Sequence, residues 1–467
     1  MSDKNRSQWT GRIGFILAAA GSAVGLGNIW KFPGRAFDGG GGAYILIYLA
    51  CVLLIGIPVM LSELSVGRAG GADAVGSMKK LDRRFSWVGY LSFIIPFIIG
   101  CYYSHVGGWV LRYAVSYVTE PAAVYSQPLG YFYGLLGYDA ASGETWFPLT
   151  AIIFAGLFIA ACGLVIIRGV EGGIEKFNRI GMPALFVILI ILFIRAVTLP
   201  GASEGLSYML TCDWSKVTFG TFLSALGQSF YSLSLGMGIM LTYGSYVSKK
   251  ENLAQNTIVV CTMDTLVALI SGFIIIPSVF ATLGADGVGK GAGFAFVSLA
   301  GVFEQMPLGQ LFAVLFYVLL LFAALTSCVS IIEAVVAYII EEIHMNRIRA
   351  TILTCVSMFL IGCLYVCTQA SYSIPGIWFD FANGISYPPF CDFMEYLTDR
   401  LLIPVCALGI AVFVGWVWKP SSAIAEVCRE GNDFAWKRVY AFLIRYLVPA
   451  AIALILIFSF VTGTTLS

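Results

Sequence analysis

Eleven long apolar segments, separated by short polar connections, dominate this sequence. They lie near residues 12–35, 43–67, 87–118, 147–167, 177–199, 219–247, 253–283, 309–342, 349–370, 392–418 and 437–463. A helix needs about 20 apolar residues to cross the hydrocarbon core of a bilayer, and each segment is long enough. The runs are continuous, unlike the alternating pattern of an outer-membrane barrel. The sequence therefore predicts an all-α membrane protein with 11 transmembrane helices.

The composition supports this interpretation and excludes other classes of protein. Hydrophobic residues make up 59% of the 467 residues and charged residues only 11%, against about 25% charged residues in soluble domains. Such a chain has too few charged side chains for a soluble surface, and it is too apolar to stay disordered. A net charge of +1 gives no indication of a nucleic-acid partner. The partner that the composition implies is the lipid bilayer.

The distribution of basic residues predicts the orientation of the chain. With the N-terminus inside, the inner segments carry 19 lysines and arginines, whereas the outer segments carry only Lys216 and Lys290. Basic residues accumulate on the cytoplasmic side of membrane proteins, so we expect a cytoplasmic N-terminus. Eleven spans then place the C-terminus outside. The localisation expected is the inner (plasma) membrane of the cell, crossed many times.

Two of the spans carry glycines at mid-membrane depth. Gly21, Gly25 and Gly27 lie in the first span, and Gly236 and Gly238 lie in the sixth. Each costs about 1 kcal/mol relative to alanine in a helix interior, and unwound backbone is tolerated in a membrane only where it lines a cavity. Glycine can also serve close helix packing, and Gly21 and Gly25 form a GxxxG pattern. Two such spans at corresponding positions favour broken helices over packing.

The spacing of these two spans predicts an internal repeat. Span one opens a first unit of five helices and span six opens a second, and because five is odd the two units have opposite orientations. The sequence thus predicts a single transmembrane transporter domain over residues 1–467, with repeats at about 12–199 and 219–418 and an extra helix at 437–463. Secondary transporters with this layout bind their substrate between the broken helices.

Oxygen-bearing side chains cluster at the depth of the breaks. Ser232 and Ser234 lie in span six, and Thr326 and Ser327 lie in span eight. Hydroxyls in membranes often bond only to their own helix. Asp264 in span seven is different, because a charge buried in a membrane is costly and indicates function by default. Carboxylate, carbonyl and hydroxyl oxygens together suit a hard cation.

The segments around these residues resemble the neurotransmitter:sodium symporter family, in particular its bacterial leucine and multihydrophobic amino-acid transporters. The resemblance covers spans one to ten. It is carried by the motifs GSAVGLGNIWKFP (21–33), DGGGGAY (38–44), GIPVMLSELSVGR (56–68), GQSFYSLSLGMG (227–238), TYGSY (242–246) and FAALTSC (322–328). It implies two inverted five-helix repeats with broken helices 1 and 6, and a transporter rather than an enzyme.

The resemblance also implies which residues bind sodium and substrate. The first of two Na⁺ sites is implied to comprise Ala23, Asn28, Ser232, Asp264 and the substrate carboxylate. The second is implied to comprise Gly21, Val24, Ala323, Thr326 and Ser327. The substrate site is implied to comprise Ser22, Ala23, Leu26, Gly27, Ile99, Tyr103, Tyr231, Ser232, Ser234, Met237, Ser327 and Ile331. Tyr103 would bind the carboxylate, and Tyr231 would form an aromatic lid.

Gate residues follow from the same resemblance. Lys31 and Glu395 are implied to form the outer gate, and Arg6 and Glu341, near Tyr246, the inner gate. The family usually has arginine and aspartate at the outer gate. Lysine lacks the planar fork with which arginine binds a carboxylate, so we expect a less rigid outer closure here.

Two further departures from the family concern the ligands. Members that transport biogenic amines carry aspartate where this chain has Gly25, so the substrate here is expected to bring its own carboxylate. Animal members bind chloride near an asparagine and a serine of span seven, where this chain has Asp264 and Ala268. No chloride is therefore expected.

Together, these features predict a sodium-coupled symporter that imports hydrophobic, branched and aromatic L-amino acids by alternating access. An amino-acid-sensing transceptor with little transport is the alternative. A channel is disfavoured because the polar groups cluster at one depth, and an enzyme because His105 and His344 belong to no catalytic or metal-binding cluster. No obligatory protein partner is implied. Glu63 is expected to bond the backbone of the broken helices, and Glu333 is a possible proton site.

Overall fold

The computed structural model describes residues 7–139, 141–289, 293–370, 374–380 and 384–462. In this part of the chain, nine continuous helices are long and apolar enough to cross a membrane. They are Gly42–Gly70, Arg83–Thr119, Leu149–Ile167, Val170–Val197, Leu253–Thr282, Gly309–Glu342, Arg347–Gln369, Phe390–Val417 and Lys437–Val461. The predicted all-α membrane fold is confirmed.

Two further spans are broken into helix pairs. Arg12–Ala23 and Gly27–Asp38 meet at a bend of 52°, and together they are apolar enough to count as a tenth span. Phe219–Ser232 and Ile239–Ser245 flank the break of the predicted sixth span. Each of these two is too short to cross a membrane alone, so the total of 11 stays a prediction. In chain order we number the helices and helix pairs as spans one to eleven.

Short elements connect the spans. The helices among them are Ala74–Leu81, Pro121–Ser126, Pro128–Leu135, Ala202–Leu210, Phe294–Gln305 and Pro420–Val427. The strands Trp378–Asp380 and Gly384–Ser386 pair antiparallel, with Phe379 opposite Ile385.

The broken spans lie at the centre of the helix bundle. The first half of span one packs against spans five, seven and eight, and the second half of span six packs against span two. Spans three and eight pack along each other over a long interface. Many apolar side chains on the outer helices are exposed, including Leu164, Ile180 and Leu360. This is the expected distribution for a protein whose solvent is lipid.

The two breaks have different backbone conformations. In span six, Ser234, Gly236 and Gly238 have φ of 54°, 70° and 74°, in the left-handed region that favours glycine. In span one the helix ends at Val24 with φ −68° and ψ 100°, and in the described chain no residue of this break has positive φ. The glycines of span one therefore do not supply a special backbone conformation.

Glu63 of span two supports the break in span six. Its Oε1 accepts a hydrogen bond of 2.7 Å from the backbone N–H of Gly236, and the side chain is fully buried. A buried backbone N–H without a partner is costly in a membrane. The carboxylate replaces the helical carbonyl that the break removes, as the sequence predicts for Glu63.

Candidate functional site

A cavity lies between the two broken helices and spans three and eight. Every residue that the sequence predicts for the substrate site lines it: Ser22, Ala23, Leu26, Gly27, Ile99, Tyr103, Tyr231, Ser232, Ser234, Met237, Ser327 and Ile331. Gly25, Asn28 and Ile239 also contribute to its wall. Ile99, Met237 and Ile331 are buried apolar side chains, and hydroxyls are concentrated on spans six and eight. The wall of the cavity therefore combines hydroxyl groups with apolar side chains.

Tyr103 and Tyr231 separate this cavity from a larger one. Both side chains, with Leu26 and Gly27, line the inner cavity and also an outer cavity of about 260 Å³. The Tyr103 hydroxyl is buried and has no hydrogen-bond partner among the described residues. A buried hydroxyl without a partner costs free energy, so this donor is suited to a ligand with an acceptor group.

The glycines of span one bring its backbone against the cavity. A Cβ on Gly25 would lie 2.9 Å from Ser327 Oγ and 3.4 Å from the Tyr103 hydroxyl, and a Cβ on Gly27 would lie 2.9 Å from the Tyr231 ring. These distances are below or at the limit of van der Waals contact. The position of Gly25 thus has no room for an acidic side chain, and the backbone itself forms the wall beside Tyr103.

Asn28, Ser232 and Asp264 form a closed hydrogen-bonded group below the cavity. The Asn28 amide donates to Asp264 Oδ1 at 2.7 Å and to Ser232 Oγ at 2.8 Å. Ser232 Oγ donates to Asp264 Oδ2 at 2.6 Å, and the hydroxyl of Tyr48 lies 3.5 Å from Ser232 Oγ. Asp264 is fully buried, and no ion pair neutralises it in the described part of the chain. A buried carboxylate among neutral oxygens is a suitable ligand for one cation.

A second group of oxygens lies between spans one and eight. Ser327 Oγ lies 3.5 Å from the carbonyl oxygen of Gly21 and 3.3 Å from that of Val24. Thr326 Oγ1 lies 3.1 Å from the carbonyl oxygen of Ala323. Ser327 thus lies close to the carbonyls of Gly21 and Val24, whereas the Thr326 hydroxyl donates within its own helix, to the carbonyls of Phe322 and Ala323. The second sodium site stays a prediction. Hard cations such as Na⁺ favour such neutral oxygen ligands.

The chain matches a described family over nearly its full length. The profile of the Sodium:neurotransmitter symporter family covers residues 6–126 and 140–466. The chain belongs to this family.

Similar proteins agree with this assignment. An uncharacterized sodium-dependent transporter of Haemophilus influenzae is 33% identical, over 98% of each chain. An uncharacterized sodium-dependent transporter of Bacillus subtilis, YhdH, is 34% identical, over 97% of this chain and 98% of the relative. The solved structure of MhsT in complex with L-phenylalanine has a TM-score of 0.84 and 36% identity, and covers 97% of this chain and 99% of MhsT. This chain is therefore a sodium-dependent transporter and not an enzyme.

The oxygen groups beside Asp264 and Thr326 are candidate sites for the cation of this transporter. Among the described residues, no cluster of three or more histidine, cysteine, aspartate or glutamate side chains could hold a metal ion. The carbonyl and hydroxyl groups beside Asp264 and Thr326 require no such cluster, because Na⁺ binds neutral oxygens. The residues present thus fit sodium as the transported ion.

The residues predicted for the outer gate share a cavity but do not form an ion pair. Lys31 and Glu395 both line the outer cavity. Glu395 Oε1 accepts a hydrogen bond of 2.7 Å from Tyr365, and Lys31 Nζ lies 4.8 Å from the centroid of the Tyr231 ring. Lys31 forms no ion pair within the described residues. The Lys31 ammonium group therefore makes a cation–π contact with the Tyr231 ring.

Several contacts between distant segments lie around Tyr246, at the end of span six. Its hydroxyl donates to Glu333 Oε1 at 3.0 Å, and Glu333, fully buried, also forms an ion pair with Arg347. Trp9 donates its backbone N–H to the carbonyl of Tyr246 at 3.1 Å. Glu333 thus has an ion-pair partner in span nine that the sequence did not indicate.

Of the predicted inner-gate pair, Arg6 and Glu341, only Glu341 lies within the described residues. Glu341 Oε2 accepts a hydrogen bond of 2.7 Å from the backbone N–H of Asp73. Arg6 lies outside the described residues. The pairing of Arg6 with Glu341 stays a prediction.

Sequence reasoning missed two residues close to the site. Asn178 of span five is fully buried, and its Oδ1 has no partner among the described residues, while its Nδ2 donates to Ile174. Asp399 lines the outer cavity together with Lys31, one helical turn beyond Glu395. A buried amide in an apolar helix is a signal for function, but the predicted start of span five at residue 177 placed Asn178 at the helix end.

Proposed function

We propose that this transporter is a symporter that imports hydrophobic L-amino acids, branched and aromatic, together with Na⁺ by alternating access. The unpartnered Tyr103 hydroxyl carries the proposal. It lies beside Gly25, where no side chain can supply an acid. A substrate with its own α-carboxylate provides the acceptor that Tyr103 lacks. An amine without a carboxylate provides none.

The apolar end of the cavity supports a hydrophobic side chain on the substrate. Ile99, Met237 and Ile331 form this wall, and Tyr231 covers it. Methionine is unbranched and repacks readily around ligands of different shape, so aromatic and branched side chains both fit the proposal. MhsT, which is 36% identical, has been solved with L-phenylalanine.

Binding of the substrate is coupled to binding of sodium through one shared group, the substrate carboxylate. In our proposal the substrate carboxylate lies at the edge of the Asn28–Ser232–Asp264 group and is itself a ligand of the first Na⁺. Ion and substrate then stabilise each other's binding, and this coupling is reciprocal. The second Na⁺ binds the oxygens of Gly21, Val24, Ala323, Thr326 and Ser327. Each inward charge contributes about 2.3 kcal/mol at 100 mV, so two ions contribute about 4–5 kcal/mol to uptake.

We further propose that Arg6 and Glu341 close the inner side and that Lys31, with Glu395, controls the outer side. The N-terminus lies in the cytoplasm in this proposal, because the basic residues favour that orientation. The protein then works in the inner (plasma) membrane, with the outer cavity facing outward. Chloride takes no part.

Uptake of labelled leucine and tryptophan into proteoliposomes tests the proposal. An inward sodium gradient should drive accumulation, and hydrophobic amino acids should compete with the labelled substrate. Tyr103→Phe removes only the hydroxyl and should lower affinity about ten-fold or more, since hydrogen bonds to charged groups contribute about 1.5–3 kcal/mol. Tyr113→Phe is the matched control, because Tyr113 is buried in the same helix but outside the cavity. Competition only by amines or charged compounds would contradict the substrate class, and tight binding without accumulation would favour a sensor.

A further inference from the structure

A third cavity, of about 550 Å³, lies far from the substrate site, where span ten ends and span eleven begins. Trp416 and Lys419 line it from the end of span ten, and Phe442, Arg445 and Tyr446 line it from span eleven. The first turns of span ten border the outer cavity, so this third cavity lies at the opposite face of the membrane. The proposed function makes no use of it.

An ion pair indicates on which face of the membrane this cavity lies. Arg68, at the end of span two, pairs with Glu426, which follows span ten. Both lie on the face that carries most of the basic residues. In the proposed orientation this is the cytoplasmic leaflet, where anionic lipids are concentrated.

Two basic side chains, Lys419 and Arg445, line the cavity, and no carboxylate is among its described lining residues. Neither Lys419 nor Arg445 forms an ion pair within the described chain. Arg445 lies eight residues inside span eleven, whose helix starts at Lys437, which is about 12 Å along the axis. An exposed guanidinium at that depth on a lipid-facing helix extends toward the headgroup region, where an anionic group can bind it.

Aromatic side chains surround the cations and face the lipid. Trp416, Phe442 and Tyr446 are 52%, 60% and 50% exposed. The Arg445 guanidinium lies 4.9 Å from the Trp416 ring centroid and 5.6 Å from that of Tyr446. Trp416 Nε1 donates to the Arg445 carbonyl at 3.1 Å, which fixes the two helices to each other. Aromatic and basic residues in this arrangement are typical of the membrane interface.

We propose that this cavity binds the headgroup of an anionic phospholipid of the cytoplasmic leaflet. The phosphate accepts hydrogen bonds from Arg445 and Lys419. The acyl chains continue along the exposed faces of Phe442 and Tyr446. Charge complementarity and the opening of the cavity toward lipid select this occupant over a soluble anion.

Native mass spectrometry tests the proposal. The full-length protein is reconstituted into nanodiscs with equal parts of phosphatidylcholine and phosphatidylglycerol of the same chain length, and the lipids retained after release are counted. Retention of the anionic lipid should exceed that of the neutral one. Retention of the anionic lipid should fall about five-fold in Lys419→Gln and about five-fold in Arg445→Gln, because each variant removes one surface cation. Arg445→Lys should retain more lipid than Arg445→Gln.

Arg168→Gln is the matched control. Arg168 is an exposed cation at the end of span four on the same face, and it lines no part of this cavity. Equal retention of the two lipids, or an equal loss in Arg168→Gln, would overturn the proposal. Complete displacement of the anionic lipid by millimolar inorganic phosphate would also overturn it, because the site would then bind a soluble anion. Sodium-driven uptake should persist in Lys419→Gln, which separates this test from that of the proposed function.

Discussion

A methyl group on Gly21 would lie 2.0 Å from Oδ1 of Asn178. Span one and span five therefore touch at this point with no space for a side chain, and the same methyl group would lie 3.3 Å from Cβ of Thr326. Gly21→Ala should displace span one from the proposed second sodium site. Overpacking costs about 1–3 kcal/mol, so the sodium concentration for half-maximal substrate binding should rise about five- to hundred-fold.

The double variant Gly21→Ala/Asn178→Ala is the control for this prediction. Removing the Asn178 side chain makes room for the methyl group and also removes a buried oxygen without a partner. The double variant should therefore recover most of the sodium affinity, and Asn178→Ala alone should stay near the wild type. If the double variant is as impaired as Gly21→Ala, the clash with Asn178 is not the cause.

Loss of the Thr326 hydroxyl should weaken sodium binding without unfolding the protein. Thr326→Val keeps the shape of the side chain and removes one proposed ligand, so the sodium required for substrate binding should rise about ten-fold or more. Titration of labelled-substrate binding with sodium measures this. Thr354→Val is the matched control, since Thr354 is a buried threonine of span nine that donates only to the Ala350 carbonyl. Equal sodium dependence in both variants would exclude Thr326 from the site.

Transport should not require chloride. Asp264 bonds Ser232 and Asn28 in the proposed first sodium site, and a chloride about 4 Å from its charge would be repelled by about 4 kcal/mol at intermediate dielectric. Uptake should therefore persist when gluconate replaces chloride. Asp264→Asn combined with Ala268→Ser removes the charge and adds a hydroxyl, so this variant, where it transports, should gain a chloride requirement. A wild type that stops without chloride would contradict the prediction.

The loop between spans two and three should make stability depend on pH. Burial, and then the nearby charge of Glu341, raises the pKa of Asp73 to about 6 from 3.8. The folded protein thus holds this proton to higher pH than the unfolded chain. The free energy of unfolding should fall as pH rises from about 4 to about 6, by at most about 3 kcal/mol.

Melting temperatures of the purified protein, recorded between about pH 4.5 and about pH 7.5, measure this slope. Asp73→Asn should flatten it, because the asparagine has no proton to lose. Asp82→Asn should leave it unchanged, because the hydrogen bond from Arg84 lowers the pKa of the partly exposed Asp82, so that this carboxyl loses its proton below the range. An unchanged slope in Asp73→Asn would assign the pH dependence to other groups.

The lining of the substrate cavity could be predicted from the sequence because most of its residues lie in short motifs of a known family. Ser22 and Tyr231, for example, can be recognised from the residues that surround them in the same motif. Contacts between distant segments could not be predicted in this way. The pairing of Glu333 with Arg347 depends on how spans eight and nine pack, and the position of Asn178 depends on where span five begins.

The glycines in span one do more than the sequence indicates. The pattern of Gly21, Gly25 and Gly27 favours a broken helix over close packing, and the break is present, with a bend of 52°. The structure shows in addition that no residue of this break has positive φ in the described chain and that the glycines make contacts too close for a Cβ. Composition indicates where a helix is interrupted, but steric fit with Ser327 or Tyr231 is a property of the packed bundle.

The difference between the two breaks has a consequence for how the molecule can move. The break in span six contains three left-handed residues and is tied to span two through Glu63, so rewinding it would require several backbone flips and the loss of a buried bond. In the break of span one, the φ of Val24 is within the helical range and its ψ of 100° is not. We therefore expect span one to straighten or bend at its break at a lower cost than span six.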